Sequence, residues 1–372
     1  MKTGPFSLLI KPASADCNFT CEYCFYLCKK NLYPRVKTPR MTPEVLETLI
    51  RSYMETGQPV CSFGWQGGEP LLMGADFFKE AVRLQQAHGR QGARVHNGLQ
   101  TNGSLLTPEL ARHLREFNFL TGISVDGPGD LHDRYRKTSG GTGTYTQVIR
   151  GLELLREAGA EVNVLTLVSA ANADQPLKVF RHLVEDLGLR YLQFIPCVEF
   201  SPEGLRPWSI TAGQWGVFLN TVFDEWQVRW RRRVSVRNFD AVLHLLAEGR
   251  SVSCDHGTDC REYLVVEHNG DVYPCDFFVK PELKLGNILT HSWEEMRSSP
   301  LYAAFGALKL AARAECAGCP YWKICAGDCV KHRGRDTAAA PEKSLLCAGY
   351  KAFYHHTLPA FMQLAHTVRR QS

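Results

Sequence analysis

The chain has 372 residues, which at roughly 150 residues per domain predicts two to three domains. Its residues are 44% hydrophobic and 22% charged, the composition of a folded globular protein, which excludes disordered, collagen-like and coiled-coil chains. The formal net charge is only +5, and the sequence has no basic strip with interleaved aromatic residues, so we expect no nucleic-acid partner.

The first 200 residues alternate short apolar runs with longer amphipathic stretches, a pattern that predicts parallel βαβ units. The runs that favour strands are residues 6–10, 61–65, 94–100, 120–125, 162–168 and 191–195. Two helix starts are marked by Thr42-Pro43 and Thr107-Pro108, where a capping residue precedes a proline at the first helical position.

The loops after the first four predicted strands carry the distinctive motifs of this half of the chain. The first loop holds three cysteines, the second a Gln-Gly-Gly-Glu-Pro run, the third Thr-Asn-Gly and the fourth Asp-Gly-Pro. The carboxyl ends of parallel strands meet at one edge of a sheet, where α/β proteins place their chemistry. The sequence therefore predicts one functional site built from these loops.

The second half of the chain changes in character. Residues 200–250 are predicted to be helical, and Trp215, Phe218, Val222 and Trp226 repeat at helical spacing, which we interpret as core. Residues 254–350 hold eight of the 14 cysteines but only short strand signals, at 263–267 and 272–275, so this segment is expected to need inorganic crosslinks to fold. Residues 351–367 predict a closing helix.

The apolar run before the first cysteine is too short for the core of a signal peptide. No later stretch reaches the roughly 18 consecutive apolar residues that a membrane helix needs. We therefore expect a cytoplasmic protein that does not associate with membranes. Disulfides are rare in that reducing compartment, so 14 cysteines indicate metal or cluster binding.

Cys17, Cys21 and Cys24 place three thiols within eight residues, directly after the first predicted strand. One loop can fold such thiolates onto three corners of a cubane iron–sulfur cluster and leave the fourth iron open. A zinc knuckle that lacks one ligand is the alternative, and Cys28 is a further candidate ligand that we expect to be a bystander. The C-x3-C-x2-C spacing, with Tyr23 before the last cysteine, resembles the hallmark of the radical S-adenosylmethionine (SAM) superfamily.

A second element supports this resemblance. The run from Gly67 to Pro70 is similar to the GGEP element of that superfamily, in which the glutamate, here Glu69, binds the amino group of the methionine moiety. Glu69 is also expected to be favoured by the dipole of a helix N-terminus, in addition to this role.

The eight downstream thiols suit two zinc ions or two iron–sulfur clusters, and their spacing alone does not separate these. Their order, C-x9-G-x4-C followed by C-x2-C-x5-C-x3-C and a last cysteine, resembles the SPASM extension, which holds two fully ligated [4Fe-4S] clusters. The resemblance implies that Cys254, Cys260, Cys275 and Cys329 hold the first auxiliary cluster, and Cys316, Cys319, Cys325 and Cys347 the second. Cys28, Cys61 and Cys197 remain as structural thiols.

Over nearly its full length the chain resembles the anaerobic sulfatase-maturating enzymes, most clearly in the segments LLIKPAS, CEYCFY, WQGGEP, LQTNG, SVDGP and YPCDFF. The implied fold is α/β: a partial (β/α)6 TIM-type barrel at 1–235, a Cys-rich SPASM domain with two auxiliary clusters at 236–350, and a C-terminal helix at 351–372. The implied cofactors are SAM and three [4Fe-4S] clusters. The implied partners are an unfolded or nascent sulfatase polypeptide and a reductant such as a flavodoxin or ferredoxin, and we expect a monomer.

The implied reaction converts a Cys or Ser residue of a sulfatase active-site motif to Cα-formylglycine. A 5′-deoxyadenosyl radical removes a Cβ hydrogen, Asp276 takes a proton as the base, and an auxiliary cluster accepts the remaining electron. Tyr26 resembles a substrate-facing tyrosine. The positions that resemble SAM contacts are Tyr23, Gln66, Gly68, Glu69, Gln100, Ser124, Arg136 and Val198.

Two alternatives remain open from the sequence. One is another SPASM peptide maturase, which forms thioether or carbon–carbon crosslinks. The other is a non-catalytic zinc-binding module. About 12 iron atoms per chain support the three-cluster interpretation, whereas two zinc ions without iron support the module.

Overall fold

The structure is a computed structural model that describes residues 4–311, 316–334 and 343–369. It forms two compact units, each assembled from several chain segments. The first unit comprises Met1–Ser124, Arg136–Val162 and Arg261–Phe305. The second unit comprises Val125–Tyr135, Asn163–Cys260 and Gly306–Ser372.

All six strands predicted for the first 200 residues are present, each within about one residue of its predicted bounds. In chain order the strands of the described residues are β1 (Ser7–Lys11), β2 (Val60–Trp65), β3 (Arg94–Thr101), β4 (Leu120–Ser124), β5 (Val162–Val168), β6 (Tyr191–Pro196), β7 (Phe200–Ser201), β8 (Gly204–Leu205), β9 (Ser235–Val236), β10 (Tyr263–Glu267), β11 (Asp271–Tyr273) and β12 (Gly286–Asn287).

Helices separate most of these strands. The α-helices of the described residues are α1 (Pro43–Met54), α2 (Ala75–His88), α3 (Pro108–Glu116), α4 (Gly129–His132), α5 (Tyr145–Glu157), α6 (Pro176–Arg181), α7 (Ala212–Glu225), α8 (Arg237–Glu248), α9 (Trp293–Ser298), α10 (Pro300–Ala311), α11 (Trp322–Cys325) and α12 (Cys347–Arg369). In this part of the chain no helix combines the length and the apolar character needed to cross a membrane.

The first unit is built on a sheet with the strand order β12-β11-β10-β1-β2-β3-β4. Strands β10, β1, β2, β3 and β4 run parallel to one another, and β11 and β12 continue the sheet beyond β10 in antiparallel pairs. Both predicted helix starts are confirmed, because Thr42 and Thr107 accept hydrogen bonds from backbone N–H groups in the first turns of α1 and α3. The loops after β1, β2, β3 and β4 therefore leave one edge of this sheet.

The second unit contains the parallel strands β5, β6 and β9, together with the helices α7, α8 and α12. The four residues that were predicted to form core from their helical spacing are all buried: Trp215, Phe218, Val222 and Trp226. Trp226 opens a π-helical turn that extends α7. Their role as core is confirmed.

Two expectations for the cysteine-rich half were wrong in detail. The closing helix begins at Cys347 rather than at residue 351, so this cysteine lies in the first turn of α12. The segment 254–350 also contains α10, a helix of 12 residues. Its sequence, PLYAAFGALKLA, is apolar on nearly all sides, so helical propensity forms a helix there without the periodicity that would have predicted one.

Helices α7 and α12 of the second unit approach each other through two glycines. A Cβ atom on Gly349 would lie 2.2 Å from the carbonyl oxygen of Ala212, and one on Gly216 would lie 2.9 Å from the carbonyl oxygen of Gly349. We therefore expect Gly349→Ala to destabilise the protein by about 1–3 kcal/mol through overpacking. Gly213→Ala in α7 is the control, because its nearest neighbouring atom lies at 3.9 Å. Urea unfolding of the cluster-loaded protein measures both, and equal midpoints for the two variants would contradict the prediction.

Candidate active site

The three clustered thiols lie on the loop that follows β1. The backbone N–H of Cys24 donates to the carbonyl of Cys21 at 3.0 Å, which closes a turn between these two residues. The Cys17 sulfur accepts a hydrogen bond from the Phe19 N–H at 3.4 Å and one from Asn102 Nδ2 at 3.7 Å. Burial raises the pKa of Cys17 to about 12, although the Phe19 N–H opposes this, so a bound metal is needed to convert this thiol to a thiolate. The loop therefore fits a cluster.

The GGEP loop is held against the same cysteine loop. The N–H groups of Gly68 and Glu69 donate to the carbonyls of Ser14 and Asp16 at 2.8 and 2.7 Å. A Cβ atom on Gly68 would lie 1.9 Å from the Asp16 carbonyl oxygen, so only glycine allows this approach. The contact fixes Glu69 close in space to the segment that leads into Cys17.

The carboxylate of Glu69 is fully buried and accepts three hydrogen bonds. The donors are Leu71 N at 2.9 Å, Thr101 Oγ1 at 2.7 Å and Asn102 N at 2.8 Å. Burial raises its pKa to about 7, while the three donors act in the opposite direction. Glu69 is thus a carboxylate held in place by three donors, and a cationic partner would stabilise its charged form.

Four more of the predicted SAM contacts form two pairs in the first unit. Gln100 Nε2 donates to Ser124 Oγ at 3.1 Å, at the carboxyl ends of the adjacent strands β3 and β4. The Arg136 guanidinium lies 5.4 Å from the centre of the buried Tyr23 ring. Val198 belongs to the second unit, where it is fully buried two residues after β6.

Asp276 is a buried carboxylate surrounded by polar side chains. Its Oδ2 accepts a short hydrogen bond from Tyr26 Oη and one from Gln66 Nε2 at 3.3 Å. Lys29 Nζ donates to its backbone carbonyl. Asp276 follows Cys275 directly and opens a short 3-10 turn, so its backbone is fixed on both sides. The structure therefore joins the predicted base to the predicted substrate-facing tyrosine and to one predicted SAM contact.

One ion pair beside Asp276 was missed by the sequence reasoning. Lys11 Nζ lies 2.9 Å from Glu267 Oε1 and 3.4 Å from Asp276 Oδ1, and all three side chains are buried. The available signal was a charged residue at the end of each of two largely apolar strands. Strand β1 (SLLIK) ends in a lysine, and strand β10 (YLVVE) ends in a glutamate.

Four of the downstream cysteines line one hollow in the second unit. They are Cys316, Cys319, Cys325 and Cys347, the set predicted for the second auxiliary cluster. The rest of its wall combines aromatic rings, among them Tyr321, Trp322 and Tyr350, with Gly327, Lys343, Ser344 and Lys351. Four thiols that converge on one hollow are the donor set of an iron–sulfur cluster, so these residues fit one.

The other predicted set is divided between the units. Cys254, Cys260 and Cys329 belong to the second unit and Cys275 to the first, so their common cluster stays a prediction. Within the described residues, no group of three or more His, Cys, Asp or Glu side chains surrounds the position of a single metal ion.

The three cysteines left without a cluster differ in exposure. Cys61 on β2 and Cys197 after β6 are buried, and burial raises the pKa of both thiols. Cys28 is exposed, and its thiol donates to the Phe25 carbonyl at 3.1 Å. These environments agree with inert structural thiols for Cys61 and Cys197.

Comparison with known proteins identifies two matching families. Residues 12–183 match the Radical SAM superfamily, and residues 244–320 match SPASM, an iron–sulfur cluster-binding domain. The chain is 37% identical to the serine-type anaerobic sulfatase-maturating enzyme of Bacteroides thetaiotaomicron, over 95% of this chain and 90% of that protein. It is 34% identical to the cysteine-type anaerobic sulfatase-maturating enzyme of Clostridium perfringens, over 98% of this chain and 100% of that protein.

A solved structure extends this similarity to three dimensions. Native anSMEcpe with bound AdoMet and Cp18Cys peptide superposes with a TM-score of 0.91 at 34% identity, over 98% of this chain and 99% of that chain. The agreement confirms the predicted fold class, a parallel-strand α/β core followed by a SPASM domain.

Proposed function

Because the chain belongs to the anaerobic sulfatase-maturating enzymes of the radical SAM superfamily, we propose that it oxidises a Cys or Ser residue of a sulfatase polypeptide to Cα-formylglycine. Its cofactors are SAM and three [4Fe-4S] clusters. This membership excludes the zinc-binding module and selects formylglycine formation over peptide crosslinking. The peptide bound in anSMEcpe supports a peptide substrate here.

The residues of the first unit supply the binding site for the catalytic cofactors. Cys17, Cys21 and Cys24 hold the catalytic cluster, and Glu69 holds the amino group of SAM. The remaining SAM contacts are Tyr23, Gln66, Gly68, Gln100, Ser124, Arg136 and Val198. When bound, the cofactors generate a 5′-deoxyadenosyl radical that removes a hydrogen atom from the target Cβ, and they accept the remaining electron.

Asp276 removes the second hydrogen of the target residue as a proton. A Ser target then yields the aldehyde directly, whereas a Cys target yields a thioaldehyde that water hydrolyses to the aldehyde with release of hydrogen sulfide. The observation that carries the proposal is the setting of this carboxylate, buried and held at Oδ2 by Tyr26 and Gln66. A base held in this way meets its proton in a fixed geometry. Its burial also keeps bulk water away from the reacting carbon.

The auxiliary clusters are assigned to the downstream cysteines. Cys254, Cys260, Cys275 and Cys329 hold the first, and Cys316, Cys319, Cys325 and Cys347 hold the second. The hollow lined by the second set supports this assignment.

The domain boundaries are proposed at 1–235 for the radical SAM barrel, 236–350 for the SPASM domain and 351–372 for the C-terminal segment, whose helix α12 begins at Cys347. The two family matches, 12–183 and 244–320, fall inside the first two of these ranges. We further propose a monomer that works in the cytoplasm on unfolded or nascent sulfatase, with a flavodoxin or ferredoxin as reductant. All 14 cysteines are thiols, which suits a reducing compartment.

Binding of SAM is expected to weaken below neutral pH. The pKa of Glu69 is about 7, and its charged form attracts the SAM ammonium group. As the pH falls through 7 the carboxylate takes up a proton, so SAM should bind about tenfold more weakly at pH 6 than at pH 8. Equilibrium binding to the anaerobic cluster-loaded enzyme measures this. Glu69→Gln is the control and should bind SAM weakly at both pH values. A wild-type affinity that is the same at pH 6 and pH 8 would contradict the role of Glu69.

The direct test uses the reconstituted, reduced enzyme under anaerobic conditions with SAM and two peptides, one with Cys-x-Pro-x-Arg and one with Ser-x-Pro-x-Arg. Mass spectrometry of both peptides shows whether formylglycine forms and from which residue. Release of 5′-deoxyadenosine with both peptides unchanged would support cleavage of SAM by this protein and would contradict the proposal that its substrate is a sulfatase.

A further inference from the structure

Lys11 is a buried lysine whose ammonium group contacts two carboxylates. Its Nζ lies between Glu267 Oε1, at 2.9 Å, and Asp276 Oδ1, at 3.4 Å. The Lys11 side chain is 0% exposed, and the same ammonium lies 4.6 Å from the centre of the Tyr26 ring. The lysine thus contacts the proposed base and the proposed substrate-facing tyrosine together.

The sheet holds this lysine in place. Lys11 ends β1 and Glu267 ends β10, and the parallel register sets these two residues directly opposite each other. Asp276 lies outside the sheet, in the turn after Cys275. Lys11 therefore links the carboxylate of Asp276, which lies in a turn, to the paired strands β1 and β10.

Among the described residues, two lysines contact Asp276, with Lys11 at Oδ1 and Lys29 at the backbone carbonyl. His268 faces Glu267 at 3.7 Å, and Tyr26 and Gln66 face Asp276 Oδ2.

The ion pair remains charged despite its burial. Burial by itself lowers the pKa of Lys11, but Glu267 and Asp276 together raise it above the ordinary value. Burial alone would raise the pKa of Glu267, but Lys11, together with hydrogen bonds from His268 and Ser14, outweighs it and holds that pKa at about 2. A buried ion pair gains little net stability over apolar side chains, so fold stability alone is a weak explanation for this one.

We propose that Lys11 is a positioning residue for Asp276. Its ammonium attracts Oδ1 from the sheet while Tyr26 and Gln66 donate to Oδ2, so these contacts together oppose rotation of the carboxylate about its Cβ–Cγ bond. This inference rests on the proposed function, in which Asp276 takes the substrate proton. Because a misplacement of about 1 Å can cost about 10²-fold in rate, loss of Lys11 should reduce product formation and leave SAM cleavage intact.

The test begins with Lys11→Met, which removes the ammonium and keeps an unbranched side chain. The enzyme should still release 5′-deoxyadenosine, but the yield of formylglycine per 5′-deoxyadenosine should fall about 10²-fold. This variant also leaves two buried carboxylates without their shared cation, which destabilises the fold. Lys178→Met is the control, since Lys178 pairs with Asp130 at 2.6 Å on an exposed surface, and its yield should equal that of the wild type.

A double variant separates positioning from stability. Lys11→Met with Glu267→Gln keeps the net charge of the group formed by Lys11, Glu267 and Asp276, because one cation and one anion are removed together. We expect its urea midpoint and iron content to recover towards the wild type while the yield per 5′-deoxyadenosine stays low.

Recovery of both stability and yield in the double variant would show that Lys11 is structural only and would overturn the proposal. A wild-type enzyme that cleaves SAM without forming any formylglycine would instead overturn the proposed function, and this inference with it. The two failures are therefore distinguishable in one set of assays.

Discussion

Asp276→Asn is expected to release 5′-deoxyadenosine while the yield of formylglycine falls by about 10²–10⁴-fold, the usual contribution of a general base. Asparagine has nearly the same shape as aspartate, so the pocket formed by Tyr26 and Gln66 should persist. The amide cannot take up the substrate proton. The radical step should therefore run without the proton-removal step that completes the oxidation.

Parallel quantification of 5′-deoxyadenosine and of aldehyde-containing peptide measures this uncoupling. Asp271→Asn is the matched control, since Asp271 is buried in the same unit but bonds to Tyr33, Asn287 and Lys284 instead. It should lose stability and retain the wild-type yield per 5′-deoxyadenosine. Full product yield from Asp276→Asn would reject this residue as the base.

Cys24→Ala is expected to abolish 5′-deoxyadenosine release and to lower the iron content from about 12 to about 8 atoms per chain. The change removes one of the three thiolates of the proposed catalytic cluster, and two thiolates on a loop hold a cubane poorly. Because the eight cysteines assigned to the auxiliary clusters are untouched, those two clusters should remain. Iron analysis and SAM cleavage are measured on the same reconstituted sample.

Cys28→Ala provides the comparison within the same segment. Cys28 is exposed, and its thiol bonds to the Phe25 carbonyl, so the variant should keep about 12 iron atoms and cleave SAM. If Cys28→Ala lost four iron atoms, or if Cys24→Ala kept them all, the ligand assignment would be wrong. Together with Asp276→Asn, these variants separate radical formation from proton removal.

The parts of the site that sequence analysis predicted are those carried by contiguous residues. The spacing of Cys17, Cys21 and Cys24 and the run that ends in Glu69 are fixed along the chain, so their motifs are legible without a structure. The pairing of Gln100 with Ser124 follows from the rule that parallel strands end at one edge. Strands β1 to β6 were predicted for the same reason, because each of them is an apolar run of contiguous residues.

The parts that sequence analysis missed depend on pairings between distant segments. Lys11 and Glu267 meet only because β1 pairs with β10, and nothing in either strand indicates that partner. Asp276 was predicted from its place after Cys275, but the contacts that orient it come from Lys11, Tyr26, Lys29 and Gln66, which lie more than 200 residues earlier. Helix α10 was missed because an evenly apolar helix has no amphipathic period.

If this protein oxidises its target residue by removing a hydrogen atom from Cβ, that hydrogen must appear in 5′-deoxyadenosine. The most direct measurement uses substrate peptides, of both the Cys and the Ser type, that carry deuterium at Cβ of the target residue. With the reduced enzyme and SAM, mass spectrometry should find one deuterium in 5′-deoxyadenosine for each formylglycine formed. Formylglycine accompanied by 5′-deoxyadenosine without deuterium would contradict the account.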